Sequence, residues 1–305
     1  MGKNFTYLLG MLITIIIGTI LYFNLCSDCI AGSSNNEVEQ VVTEQATAPE
    51  PEPTSYPFAI ANGDFDYSAE DNFNFDLSSA NLRLPVSEKV DFGIYKLKDY
   101  LAENAGKVIN ITGLYSSKEA NNTAFPNLGL ARANDVKNYL VKLGIPSSQT
   151  NTFGQLKDEL LPLDGVLLGP VNFNLADKAE DESETIAALL EKIKTNPLIV
   201  YFETGEASIN LSAEQRQKVA DISQYLDKVD GAKCLVIGHT DNTGSRATNI
   251  SLAKDRADFV KSYLVRNGIL ENTIESSSKG PDSPIATNDT EEGRALNRRV
   301  EVTLN

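Results

Sequence analysis

Asp241 lies in the stretch GHTDNTG (Gly238–Gly244), directly after the apolar run Cys234–Ile237. Arg256 follows fifteen residues later, inside a helix-like segment that contains LAKDRA (Leu252–Ala257). A carboxylate on a strand-end loop and a guanidinium on the next helix can be brought side by side. Such a pair suits a ligand that carries an ammonium next to a carboxylate. The Asp receives the ammonium, and the Arg holds the carboxylate with both arms of its fork. The same spacing allows a plain Asp–Arg salt bridge that braces the loop. Thr240 and Asn249 are open in the same way, because Thr and Asn in turns commonly bond their own backbone. Leu252 and Arg256 are four residues apart and share a helical face.

Catalysis finds little support. His239 is the single histidine, so His-rich metal centres are excluded. A Ser-His-Asp arrangement through it would need a nucleophile setting such as G-x-S-x-G, which the chain lacks. His239 reads as a structural residue at a strand end. We expect no catalytic residue, metal or cofactor. A net charge of −15 argues against nucleic acid as a partner.

The elements that must position these residues can be read around them. PLIVYFE (197–203) is strand-like. Ser212 and Gln215 have capping-box spacing, and Val219, Ile222, Leu226 and Val229 then form an apolar stripe at helical period. KCLVIG (233–238) is a short, buried type of strand. A second helix is expected from about Ser251 to Arg266, with Leu252, Val260 and Leu264 inward and Asn267-Gly268 at its end. A short helix near 290–297 leads into RRVEVTL, whose Val300, Val302 and Leu304 share one face. This order predicts an α/β sandwich with helices on one face of a mixed sheet.

The chain repeats itself at about 125 residues. RANDVKNYLVKLGI (132–145) faces RADFVKSYLVRNGI (256–269), with nine of fourteen positions identical. Val86-Ser87, Tyr100-Leu101, Gly106 and Gly113 have counterparts in Leu211-Ser212, Tyr225-Leu226, Gly231 and Gly238. Two tandem domains are therefore expected, at 73–176 and 177–305. Glu180–Lys194 should form an acidic-to-basic helix between them.

Before the repeat, Phe5–Leu25 is 21 residues long without a charge, the length of a membrane helix. Residues 1–27 read as an uncleaved anchor in the inner membrane, with the amino terminus cytoplasmic and the domains periplasmic. An outer-membrane lipoprotein and a cleaved, secreted form are the alternatives. Cys26 and Cys29 can pair in an oxidising compartment or remain free thiols. Residues 28–72, acidic and Pro-rich, read as a disordered tether that spans about 40 Å as a coil.

Four pieces together resemble the OmpA-like peptidoglycan-binding domain found in OmpA, Pal and MotB. They are FETGEASI (202–209), GHTDNTG (238–244), NISLAKDRA (249–257) and GRALNRRVEV (293–302), in order and at family spacing. The resemblance implies a non-catalytic grip on the diaminopimelate of the peptidoglycan stem. Asp241 would bind its ammonium and Arg256 its carboxylate. Thr240, Thr243, Asn249 and Leu252 would line the pocket, and Arg298 would take a secondary position. Ala253 departs from the Ser common in the family.

The first repeat resembles the same domain without its carboxylate. GLYSSK (113–118) replaces GHTDNT, which places Ser116 where Asp241 stands, while Arg132 survives. That domain is expected to keep the fold and not the ligand, unless another acid such as Glu119 substitutes. The resemblance also raises a scaffold role in an envelope machine, stator-like, with the first repeat docking a partner. The apolar segment 5–25 carries no acid for a proton path.

Overall fold

In chain order, the first half forms β1 (Phe58–Asn62), β2 (Phe65–Ala69), β3 (Phe75–Asp76), α1 (Glu88–Glu103), β4 (Lys107–Tyr115), α2 (Leu128–Lys142), β5 (Thr150–Leu156), β6 (Val166–Leu167) and β7 (Val171–Asp177). The second half continues with α3 (Glu182–Thr195), β8 (Leu198–Tyr201), α4 (Ala213–Lys228), β9 (Cys234–His239), α5 (Arg246–Arg266), β10 (Ile274–Gly280), α6 (Glu291–Asn297) and β11 (Arg299–Leu304). This computed structural model describes residues 52–202 and 209–305. The expected anchor at 5–25 and the Cys26/Cys29 pair lie outside the described residues. Among the described residues, no helix is long and apolar enough to cross a membrane.

Local sequence explains the second-half elements. Ser212 and Gln215 form the expected capping box on α4. Val219, Ile222 and Tyr225 are its buried stripe. In β11, Val300, Val302 and Leu304 are buried and register against Gly238, Val236 and Cys234 of β9. Strand pleating puts all six on one face of the sheet, the face the helices cover. The sheet order is β10–β9–β11–β8, with β9 parallel to β10 and antiparallel to β11. The architecture is the mixed α/β fold expected from the sequence.

The first half repeats these pairings over three strands. β4 runs parallel to β5 and antiparallel to β7. Gly113 of β4 registers against Gly154 and Val171, as Gly238 of β9 does against Ser278 and Val300. At both glycines the following helix crosses the strand backbone to backbone. A Cβ on Gly113 would lie 2.0 Å from the Gly129 carbonyl oxygen, and one on Gly238 would lie 1.8 Å from that of Ala253. Only glycine on the strand permits that approach.

Two expectations need correction. The tether does not extend to residue 72. β1 and β2 form a hairpin with Phe58 opposite Ala69 and Asn62 opposite Phe65. Phe58, Ile60 and Phe65 enter the same core as Ile94 and Leu97 of α1. The acids Asp64, Asp66, Glu70 and Asp71 occupy exposed positions, so the hairpin's period-two pattern runs beneath a charged surface. The second correction concerns α5, which starts at Arg246 instead of near Ser251. Ser245 caps it by accepting from the Thr248 amide. The inward residue is then Ala253, and Leu252 is 41% exposed.

The halves are also joined by side chains that the repeat reading assigned to no role. Residues 51–305 form a single compact unit. Lys137 of α2 is buried and pairs with Asp227 at 2.7 Å. Asn134 and Asn138 both donate to the Gly268 carbonyl, at 3.1 and 2.8 Å. Arg216 donates to the Thr123 carbonyl, and Asn267 accepts from the Ala124 amide at 2.7 Å. Ala124, Phe125 and Ala131 contribute to the second-half core.

Candidate functional site

β9 delivers its chain end to the site. The Thr240 amide donates to the Gly280 carbonyl at 2.9 Å, which ties the loop to the end of β10. Asp241 then turns back on itself. Its Oδ1 accepts from the Thr243 amide at 2.9 Å. Asn249, buried in the first turn of α5, donates to the carbonyls of Asp241 (3.3 Å) and Thr243 (3.1 Å). Gly244, with φ +93°, lets the chain leave the loop and enter the helix. Asn249 is therefore a brace for the loop backbone, and Thr243 is exposed beside it.

The acid's ion-pair partner is Arg298. Its Nη1 lies 3.0 Å from Asp241 Oδ2, and its Nη2 lies 2.8 Å from Glu291 Oε1. The Asp241–Arg256 salt bridge that spacing allowed does not form. Burial works against ionised Asp241, but the Thr243 amide and Arg298 outweigh it and hold its pKa below the usual carboxylate value. Arg298 is shifted up, first by Glu291 and then by Asp241.

Among the described residues, Arg256 pairs with no acid. Its guanidinium carbon sits 5.6 Å from the centre of the Phe202 ring, and Phe202 is itself fixed by donating its amide to the Arg298 carbonyl at 3.3 Å. Arg256 Nη1 is fully buried and has no hydrogen-bond partner among the described residues. Burial lowers its pKa, as does the charge of Arg298, while Asp241 acts in the opposite sense. Thr240 Oγ1 is also buried and has no partner among the described residues. Leu252 stands exposed on α5, one turn before Arg256. His239 is enclosed, and its pKa is pushed down to about 4 by burial and by the charges of Arg299 and Lys279. It is uncharged at neutral pH.

The first half fills the equivalent place. Arg132 is fully buried and its guanidinium carbon lies 5.6 Å from the Phe75 ring centre. Glu119 engages it with both oxygens, and Oε2 lies 3.0 Å from Nη1. Ser116 does not face Arg132; its hydroxyl bonds Asp158 at 3.3 Å. Sequence reasoning missed Glu291 and left Glu119 as a side alternative. The available signals were Glu291 seven residues before Arg298 across a short helix, and Glu119 three residues after Ser116.

The second half thus forms a small α/β unit whose strand-end loop presents Asp241, with unpaired buried donors on Thr240 and on Arg256 of the next helix among the described residues. Residues 201–298 match the family model described as the OmpA family, and this segment is an OmpA-type domain. Outer membrane protein A of Bordetella avium is 36% identical over 126 residues, covering 41% of this chain and 63% of that protein. The peptidoglycan-binding protein ArfA of Mycobacterium bovis is 40% identical over 107 residues, covering 35% of this chain and 32% of that protein. The match therefore spans less than two thirds of either relative. Among solved structures, the peptidoglycan-associated lipoprotein from Burkholderia pseudomallei aligns at 27% identity over 35% of this chain and 89% of that chain, with a TM-score of 0.32.

Proposed function

We propose that the second half binds peptidoglycan without catalysis, gripping the diaminopimelate of a stem peptide. The observation that carries this reading is the buried, unpartnered Nη1 of Arg256 within electrostatic reach of an oriented, ionised Asp241. An unpaired buried donor costs about 1–3 kcal/mol, which an incoming carboxylate would recover. Asp241 supplies the ammonium contact, with two of its acceptor sites already used to fix its orientation. Thr240 brings a second spare hydroxyl, Asn249 and Thr243 shape the loop, and Leu252 offers an apolar rim. The names of the relatives, ArfA above all, agree with this reading.

The N-terminal segment 5–25 serves in this proposal as a single-pass inner-membrane anchor, with the folded unit in the periplasm linking wall to membrane. The first half is a second domain of the same type, supported by the shared strand registers and glycine crossings. It is a spacer or docking surface, since its arginine is already occupied. A scaffold role in an envelope complex is the second reading.

The test is cosedimentation of residues 52–305 with purified peptidoglycan. The wild type is expected to pellet, and Asp241→Ala and Arg256→Ala to lose at least about tenfold in affinity, the value of one charge-assisted hydrogen bond. Unchanged pelleting of both variants would sink the proposal.

A further inference from the structure

Arg132 and Arg256 occupy matching places. Each lies on the helix that crosses a central-strand glycine, and each guanidinium is 5.6 Å from a phenylalanine ring. They differ in occupancy. Arg132 donates from Nε to the Ser79 carbonyl (3.0 Å), from Nη1 to the Leu114 carbonyl (2.8 Å) and to Glu119 Oε2 (3.0 Å), and from Nη2 to Glu119 Oε1. The Glu119 carboxylate also accepts from the Ser116 amide (3.0 Å, Oε2) and the Ser78 amide (3.0 Å, Oε1). Both side chains are shut off from solvent, with 0% and 1% exposure. Burial opposes the ionised carboxyl, yet the arginine and the two amides keep its pKa below the ordinary value.

A carboxylate held by a two-armed arginine and two backbone amides, in a closed pocket, has the environment of a bound ligand. We infer that the first half contains a carboxylate-binding site of the Arg256 type, permanently filled by Glu119 as an internal ligand. The filling has a structural use. It pins the loop from Ser116 to Asn127, which offers the Thr123 carbonyl to Arg216 and the Ala124 amide to Asn267. The same loop inserts Ala124 and Phe125 into the second-half core. A site built for capture here holds the two halves together.

The test is thermal melting of the full chain in acetate against chloride at equal ionic strength, followed by circular dichroism. Glu119→Ala leaves Arg132 buried without its partner, and its Tm is expected to fall by about 10 °C. Acetate then restores at least half of that loss in a saturable manner. Wild type and the double variant Glu119→Ala/Arg132→Met show no response beyond that to chloride. Should Glu119→Ala fail to fold in chloride, gain of the native spectrum on dialysis into acetate is the expected result. Acetate acting no better than chloride on Glu119→Ala, or acting equally on the double variant, overturns the inference. Peptidoglycan pelleting of the wild type is measured alongside. Its failure would strike the reading of Arg256 and leave the acetate result standing.

Discussion

Replacing Arg256 by Met should separate binding from stability. The guanidinium places one buried Nη1 without a partner among the described residues, and such a group costs about 1–3 kcal/mol in the folded state. Arg256 also shares the site with the cation Arg298. Against this stands the cation–π contact with Phe202, worth about 0.5–1 kcal/mol. Methionine retains the flexible apolar stem and removes the orphan donor. The net expectation is a stabilisation of roughly 0.5–2 kcal/mol, or a rise in Tm of about 1–8 °C for a chain of this size. Affinity for peptidoglycan should fall by on the order of 100-fold, because two charge-assisted bonds to a ligand carboxylate are lost. The control is Arg132→Met, which strands Glu119 in a closed pocket and should cost about 3–5 kcal/mol. Urea unfolding with wall pelleting, on wild type and both variants, supplies the comparison. A loss of about 1 kcal/mol or more for Arg256→Met with pelleting retained would show that Arg256 is a structural brace, and the reasoning from its unpaired nitrogen would fail.

Two further outcomes follow from the junction and from Asp241. Lys137→Met leaves Asp227 buried without its cation and should cost about 3–5 kcal/mol, most of it recovered in Lys137→Met/Asp227→Leu. Burial already raises the Asp227 pKa despite Lys137, so the single variant favours the protonated acid. Its deficit should be largest at neutral pH and shrink as pH falls towards the unfolded aspartate value, in urea titrations at about pH 7 and pH 5. Asp241 has the opposite sign. Its folded pKa lies below 3.8, so its charge is present above that value and lost only as pH falls through the depressed one. Pelleting should therefore hold down to about pH 4, and loss of half the binding near pH 5 would contradict the assignment.

Much of the second half was legible because its apolar residues keep clean periods and its boundaries carry explicit caps. Ser212 with Gln215, Asn267-Gly268 and the Val300–Leu304 alternation all appear as read. The α5 start was misplaced because Ser245 and Ser251 are both plausible caps, and only the tertiary seat of Ala253 against Gly238 distinguishes them. The hairpin at 58–69 was hidden by its charge: composition argued for disorder, and the one turn signal is the two-residue loop Gly63-Asp64 between the paired Asn62 and Phe65. At the site, spacing suggested Asp241 with Arg256, yet the contact is made by Arg298, fifty-seven residues away. No local pattern encodes such a partner, since sheet register brings β9 and β11 together. Glu119 could be named only as an alternative acid for the same reason: its role depends on a closed pocket assembled from Ser78, Ser116 and Arg132.

The glycine crossings have an engineering consequence. At Gly113 over Gly129 and Gly238 over Ala253 there is no side chain between strand and helix, so main-chain geometry alone sets how far a strand-end loop stands from the arginine beyond it. On such a frame the acid that occupies the arginine can be carried by the loop, as Glu119 is for Arg132. Exchanging the seven-residue segments 113–119 and 238–244, so that Glu119 travels with its loop, would leave Arg132 without its carboxylate and offer one to Arg256.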